Sequence, residues 1–120
     1  VHLEVRYKET PNYLLAIFDG PWEEFDTKQE IEALREETLK RGKTRLLLDV
    51  RNLGSPKDEK IRFTTGEHIA KFWRYPLKVA AFANAEQITG VPETVAVNRG
   101  AVFAVFPEEA AALEWLMKEQ

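Results

Sequence analysis

The chain has 120 residues, 44% of them hydrophobic, which suits one soluble globular domain whose core is large enough to fold without a disulfide or metal. It has no cysteine, which excludes thiol catalysis, disulfides and cysteine-based zinc sites and fits a reducing cytoplasm, the expected location. A formal charge of −3 gives no electrostatic reason to expect nucleic acid; no apolar run approaches the roughly 20 residues of a membrane span, and VHLEVRYKET lacks the basic and apolar regions of a signal peptide.

Leu3, Val5 and Tyr7 alternate with charged residues, and after Thr10-Pro11-Asn12 the stretch YLLAIFDG is almost continuously apolar. Two strands joined by a short turn fit this pattern. In TKQEIEALREETLKR, residues 27–41, Ile31, Leu34 and Leu39 form a helical stripe; Thr27 and Glu30 are spaced as a capping box, and Gly42 is the expected stop. RLLLDV, residues 45–50, reads as a strand buried on both faces of a parallel sheet.

Ser55-Pro56-Lys57-Asp58 supplies a capping serine, a proline for the first helical position and an acid at the third, predicting a helix from Ser55 to Trp73. Its apolar positions include Ile61, Ile69 and Phe72, and Thr64, Thr65 and Gly66 weaken its middle. LKVAAFAN, residues 77–84, is a second buried strand. A helical region interrupted near Gly90-Val91-Pro92 leads to Gly100, VFAVF at 102–106 is a strand, and PEEAAALEWLMKEQ closes the chain as a helix.

The expected fold class is α/β: a single domain spanning residues 1–120, with a five-stranded, mostly parallel mixed sheet, an N-terminal antiparallel hairpin and about four helices. Ligands of such sheets sit beyond the carboxyl ends of the parallel strands. That rule gathers Asp19, Trp22, Asp49, Arg51, Asn52 and Asn84 into a candidate rim for a ligand or partner. Arg99 precedes a strand and belongs to the opposite rim, so Asn98-Arg99-Gly100 reads as a helix stop, with Gly100 left-handed and Arg99 near the negative helix end.

The quoted segments NYLLAIFDGPW (12–22), RLLLDVRNL (45–53), PLKVAAFAN (76–84) and, most specifically, VAVNRGAVFAVFPEEAAALEWL (95–116) resemble the SpoIIAA-like branch of the STAS domains, sulfate transporter and anti-sigma-factor antagonist. The fold of that family is also compared with CRAL-TRIO lipid-binding domains. The resemblance implies a small STAS-like α/β domain without catalysis. In the antagonists it further implies a phosphorylatable serine in an Asp-Ser-Ser/Thr-Gly stretch after the central strand. Here RNLGSPKDEK follows LLLDV, that motif is missing, and Ser55 alone occupies a comparable place as a weak candidate phospho-position.

No catalytic residue, cofactor or metal site is assigned. His2 and His68 are too far apart for a metal-binding helix or turn, and no phosphate loop or nucleophile elbow occurs. Asp19 and Asp49 could do acid/base work only if they met at the rim. Phe63, Phe72, Trp73 and Tyr75 cluster near the ends of the second helix as a candidate aromatic interface, with core packing as the default. A non-catalytic protein-interaction or regulatory module, binding a protein partner or itself, therefore ranks first. A carrier or sensor of a small apolar ligand ranks second, and an enzyme with an unrecognised carboxylate site last. An apolar cavity with few polar groups would favour the carrier, and an exposed aromatic face beside a packed core would favour the module.

Overall fold

A computed structural model describes residues 2–118 and orders them β1 (Glu4–Glu9), β2 (Leu14–Gly20), α1 (Glu24–Lys40), β3 (Arg45–Leu53), α2 (Glu59–Phe72), β4 (Lys78–Phe82), a 3-10 turn (Ala85–Gln87), α3 (Val91–Asn98), β5 (Phe103–Phe106) and α4 (Glu109–Met117). The five strands form one sheet in chain order, β1 antiparallel to β2 and every later neighbour parallel. The last two residues of the expected final helix lie outside the described residues.

Strands that progress in one direction through right-handed crossovers place their connecting helices on one face of the sheet. Leu14, Ala16, Phe18, Leu46, Leu48, Val79, Ala81 and Phe103 present that face to Ile31 and Leu34 of α1, to Ile69 of α2 and Trp73 just after it, and to Ala96 of α3. The alternate residues, Leu47, Ala80 and Phe82, face the other way and are covered by Ala112 and Leu116 of α4. The central strands are thus buried on both faces, as their apolar runs require.

Two helix starts differ from expectation. α1 begins at Glu24 rather than Thr27, with Glu24 and Asp26 in its first turn, where carboxylates oppose the positive helix end. Thr27 is consequently a buried wall residue, and its N–H donates to the Glu23 carbonyl at 3.0 Å. α2 is capped not by Ser55 but by Asp58, whose carboxylate accepts from the Ile61 N–H at 3.2 Å. Ser55 and Pro56 stay in the preceding loop because β3 runs on to Leu53. Asp58→Ala is therefore expected to cost about 1 kcal/mol and Ser55→Ala nearly nothing, compared by urea denaturation.

The interrupted helical region is a separate 3-10 turn, Ala85–Gln87, followed by α3, whose N-cap is Gly90. Gly100 has φ +101, a conformation that a Cβ resists, and ends α3 as its position predicts. The Arg74 guanidinium donates to the Arg99 carbonyl at 2.8 Å, joining this helix end to that of α2. Lys78 is buried inside the apolar run of β4 because its ammonium donates to the Trp115 and Lys118 carbonyls, both at 2.8 Å, at the free end of α4. It also lies 4.5 Å from the Trp115 ring centroid, so one strand residue fastens the lone helix of the second face.

Candidate functional site

Small side chains at the carboxyl end of β4, Ala81 and Ala83, leave the space between sheet and helices incompletely filled. The result is a cavity of about 100 Å³. Its floor is formed by Phe18, Leu48, Val50, Phe103 and Val105 from the sheet and by Ile31, Ile69 and Trp73 from the helices. At its edge stand Trp22, Leu53, Gly54 and Ser55 on one side and Ile88, Thr89, Pro92 and Glu93 on the other. This is the carboxyl rim of the parallel strands, where folds of this class hold ligands.

Most polar groups of the wall are already engaged. The Trp22 indole N–H donates to Thr65 Oγ1 at 3.1 Å, and the Thr65 hydroxyl donates to the Ile61 carbonyl at 2.7 Å. The Arg62 guanidinium lies 5.6 Å from the Trp22 ring centroid and pairs with Glu59 at 2.7 Å. Trp22 thereby pins the loop between β2 and α1 onto α2. The Gln87 amide donates to the Val50 and Leu53 carbonyls, both at 3.0 Å, tying the 3-10 turn to the end of β3. Thr27 Oγ1 and Arg62 Nε are buried without a hydrogen-bond partner among the described residues.

The expected rim residues do not form one constellation. Trp22 and Ser55 border the cavity. Asp49 and Arg51 alternate with Leu48 and Val50 and so point to the opposite face, where Arg51 lies 5.0 Å from the Phe82 ring centroid. Asp19 is opposite Asn52 in the sheet register rather than opposite Asp49, after an irregularity in the pairing. Asn84 donates weakly, at 3.4 Å, to the Arg51 carbonyl and caps the 3-10 turn. Among the described residues no group of three metal-ligating side chains assembles.

Asp49 is held by Arg51 through two side-chain bonds of 3.0 and 2.8 Å and a backbone N–H at 3.2 Å. Burial alone would raise its pKa, but the hydrogen bonds and charge of Arg51 outweigh burial and hold the carboxyl below the ordinary aspartate range. A depressed folded-state pKa stabilises the fold above the unfolded value and loses that contribution as pH falls through the folded one. Asp49→Asn is therefore expected to lower the melting temperature at neutral pH. The gap to the unaltered protein should close on acidification below the folded-state pKa, which melts across an acid series would reveal.

The candidate aromatic interface divides. Trp73 is 2% exposed and belongs to the core, because its indole N–H finds a buried partner in the Ile31 carbonyl at 2.9 Å. Phe72 is half-buried against the same core, Phe63 is exposed and carries Arg99 at 5.5 Å from its centroid, and Tyr75 is 90% exposed. Phe25, in the first turn of α1, is a further exposed aromatic. Sequence reasoning missed Phe25, Thr27, Arg62 and Glu93, since helical spacing does not say which polar face meets a cavity.

No described helix is long and apolar enough to cross a membrane. Compared by sequence, the chain matches no family model and no curated protein. Solved structures do match. An uncharacterised DUF3478-family protein with a SpoIIAA-like fold from Shewanella loihica PV-4 is 20% identical, with a TM-score of 0.56 over 96% of this chain and 93% of its own. An anti-sigma factor antagonist from Mycobacterium paratuberculosis gives a TM-score of 0.61 at 12% identity, covering 97% of this chain and 95% of its own. The anti-sigma factor antagonist SpoIIAA in its unphosphorylated form gives 0.53 at 8% identity, covering 98% and 99%. At these identities the likeness is one of architecture, and the five-stranded mixed sheet with its flanking helices is a SpoIIAA-like fold.

Proposed function

We propose that this chain is a non-catalytic regulatory module that works by binding another protein. The observation that supports the reading best is its near-full-length likeness to two anti-sigma factor antagonists, an argument at the level of fold. The surface is compatible with it. Phe25, in the first turn of α1, and Phe63, in the first half of α2, are exposed, and exposed aromatics are favoured at interfaces. Asp49, the buried carboxylate of the original rim, is committed to Arg51 and therefore serves poorly as an acid or base.

Ser55 is exposed on the loop after β3, accessible to a modifying enzyme but outside the helix cap. In this reading it is a surface residue beside the partner face rather than the control point. A second reading, a carrier or sensor of a small apolar ligand, is favoured by the cavity itself.

Native mass spectrometry of the chain isolated from its own cells separates the two. A stoichiometric complex with a second protein, weakened by Phe63→Ser, is the expected result. The bare chain carrying only a small-molecule mass would overturn the first reading for the second, and phosphopeptide mapping of the same sample would expose any phosphate on Ser55.

A further inference from the structure

We propose that β5 is a dimerisation edge: it pairs antiparallel with β5 of a second copy about a two-fold axis through Ala104, joining the two sheets into one. The inference goes beyond the regulatory reading and does not depend on it.

A sheet in the order β1 to β5 has two edges, and they are built differently. Along β1 stand Glu4, Arg6, Lys8 and Glu9, all exposed. Charges so placed keep other strands away. At the opposite edge, Val102, Phe103, Ala104, Val105 and Phe106 carry no charge and include no proline or glycine. β4 pairs with β5 on one side, α3 and α4 lie over its faces, and no described strand covers its other side. This edge is unguarded.

Backbone geometry selects the register. The Val102 and Phe106 carbonyls accept from the Val79 and Ala83 N–H groups, both at 3.0 Å, so Val102, Ala104 and Phe106 turn their backbone groups toward β4. Phe103 and Val105 direct theirs outward. Among the described residues, no turn, cap or loop hydrogen bond takes these groups up. With the two-fold axis at Ala104, Phe103 lies opposite Val105 of the second copy, and each such pair exchanges two hydrogen bonds. Ala104 then meets its own copy across the axis. A pair of that kind, without hydrogen bonds between its members, brings the Cα atoms to about 4.5 Å, which suits the smallest side chain of the strand.

The side chains agree with that register. Phe103 and Val105 pack on the side of α1, α2 and α3, Phe106 packs on the side of α4, and residues set opposite each other share a face. Phe103 thus packs beside Val105, and Val102 beside Phe106. Charge complementarity identifies the occupant as a second copy. Arg99 lies five residues before Ala104 and Glu109 five after it, so the axis brings the amino flank of one strand beside the carboxyl flank of the other. The amino flank carries exposed Arg99 and Arg74, and the carboxyl flank carries exposed Glu108 and Glu109. Among the described residues Arg74, Glu108 and Glu109 form no ion pair, and Arg99 has only a 3.9 Å contact with Glu67. Opposite charges therefore meet at both ends of the pairing.

The test is sedimentation equilibrium of the full chain over about a hundredfold range of concentration. The paired edge is short, so a reversible dimer whose population rises with concentration is expected. Val105→Pro deletes an outward N–H, leaves the ladder to β4 intact, and should weaken the dimer at least about tenfold. Should that variant not fold, two exposed charge reversals carry the test. Glu109→Lys and Arg99→Glu each set like charges at both ends and should each leave the chain monomeric. An equimolar mixture of the two should recover a dimer, because each mixed pair again opposes unlike charges. A chain that stays monomeric throughout, a dimer that survives these substitutions, or a mixture no more dimeric than its components would overturn the proposal.

Discussion

Replacement of Trp73 by alanine is expected to destabilise the protein by about 4 kcal/mol, the middle of the range for a large aromatic removed from a core. The residue lies where three elements meet. It follows α2, its indole N–H donates to the Ile31 carbonyl of α1 at 2.9 Å, and its ring stands edge-on to Phe103 of β5 at 5.7 Å between centroids. Truncation removes all of these contacts together, and neighbours already bordering a cavity cannot collapse fully into the space. Trp73→Phe keeps much of the ring but loses the hydrogen bond, so it should cost about half as much. Urea denaturation of both variants supplies the comparison. A loss below about 1 kcal/mol for Trp73→Ala would mean that the helical layer does not depend on this junction.

The same residue marks where the sequence stopped being informative. Phe63, Phe72, Trp73 and Tyr75 lie close together along the chain, yet Trp73 is in the core and Tyr75 almost wholly exposed. Composition cannot separate them; the turn after α2 does. The strands were legible because burial on both faces writes a continuous apolar run, as in RLLLDV, and sequential right-handed crossovers leave few alternative topologies.

Helix starts were less legible because capping chemistry occurred in competing frames. Ser55 and Asp58 can both cap, as can Thr27 in isolation, and the choice fell to distant contacts: the extension of β3 to Leu53 and the anchoring of Trp22 on Thr65. The cavity was the least legible feature of all. It is a deficit of volume summed over residues from the sheet, all three helices of one face and two loops, and no local pattern encodes such a sum. Lys78 shows the converse. A charge inside an apolar run is tolerated because the carbonyls of α4, nearly forty residues later, receive it.

Gly66→Ala should destabilise by about 1–2 kcal/mol, although in an exposed helix the same change would stabilise by about 1 kcal/mol. The reversal arises from close packing between α2 and α3. A Cβ at Gly66 would lie 2.7 Å from the Pro92 carbonyl oxygen and 2.7 Å from Val95 Cβ. The first contact is with backbone in the opening turn of α3 and the second with a Cβ that the backbone fixes, so neither can be relieved by a rotamer change. Accommodating the methyl therefore requires α3 to move away from α2, giving up contacts whose loss outweighs the propensity gain. Adding Val95→Ala should recover little of the loss, because it removes only the Cγ1 contact at 3.0 Å and leaves both the Pro92 carbonyl and the residue's Cβ in place. Pro92 and Glu93 also border the cavity, so the displacement should reach the candidate site. Thermal melts of Gly66→Ala, Val95→Ala and the double variant form the cycle that measures this coupling. A Gly66→Ala protein more stable than the original would show that α3 yields freely, and the tight helix crossing would lose its role in shaping the cavity.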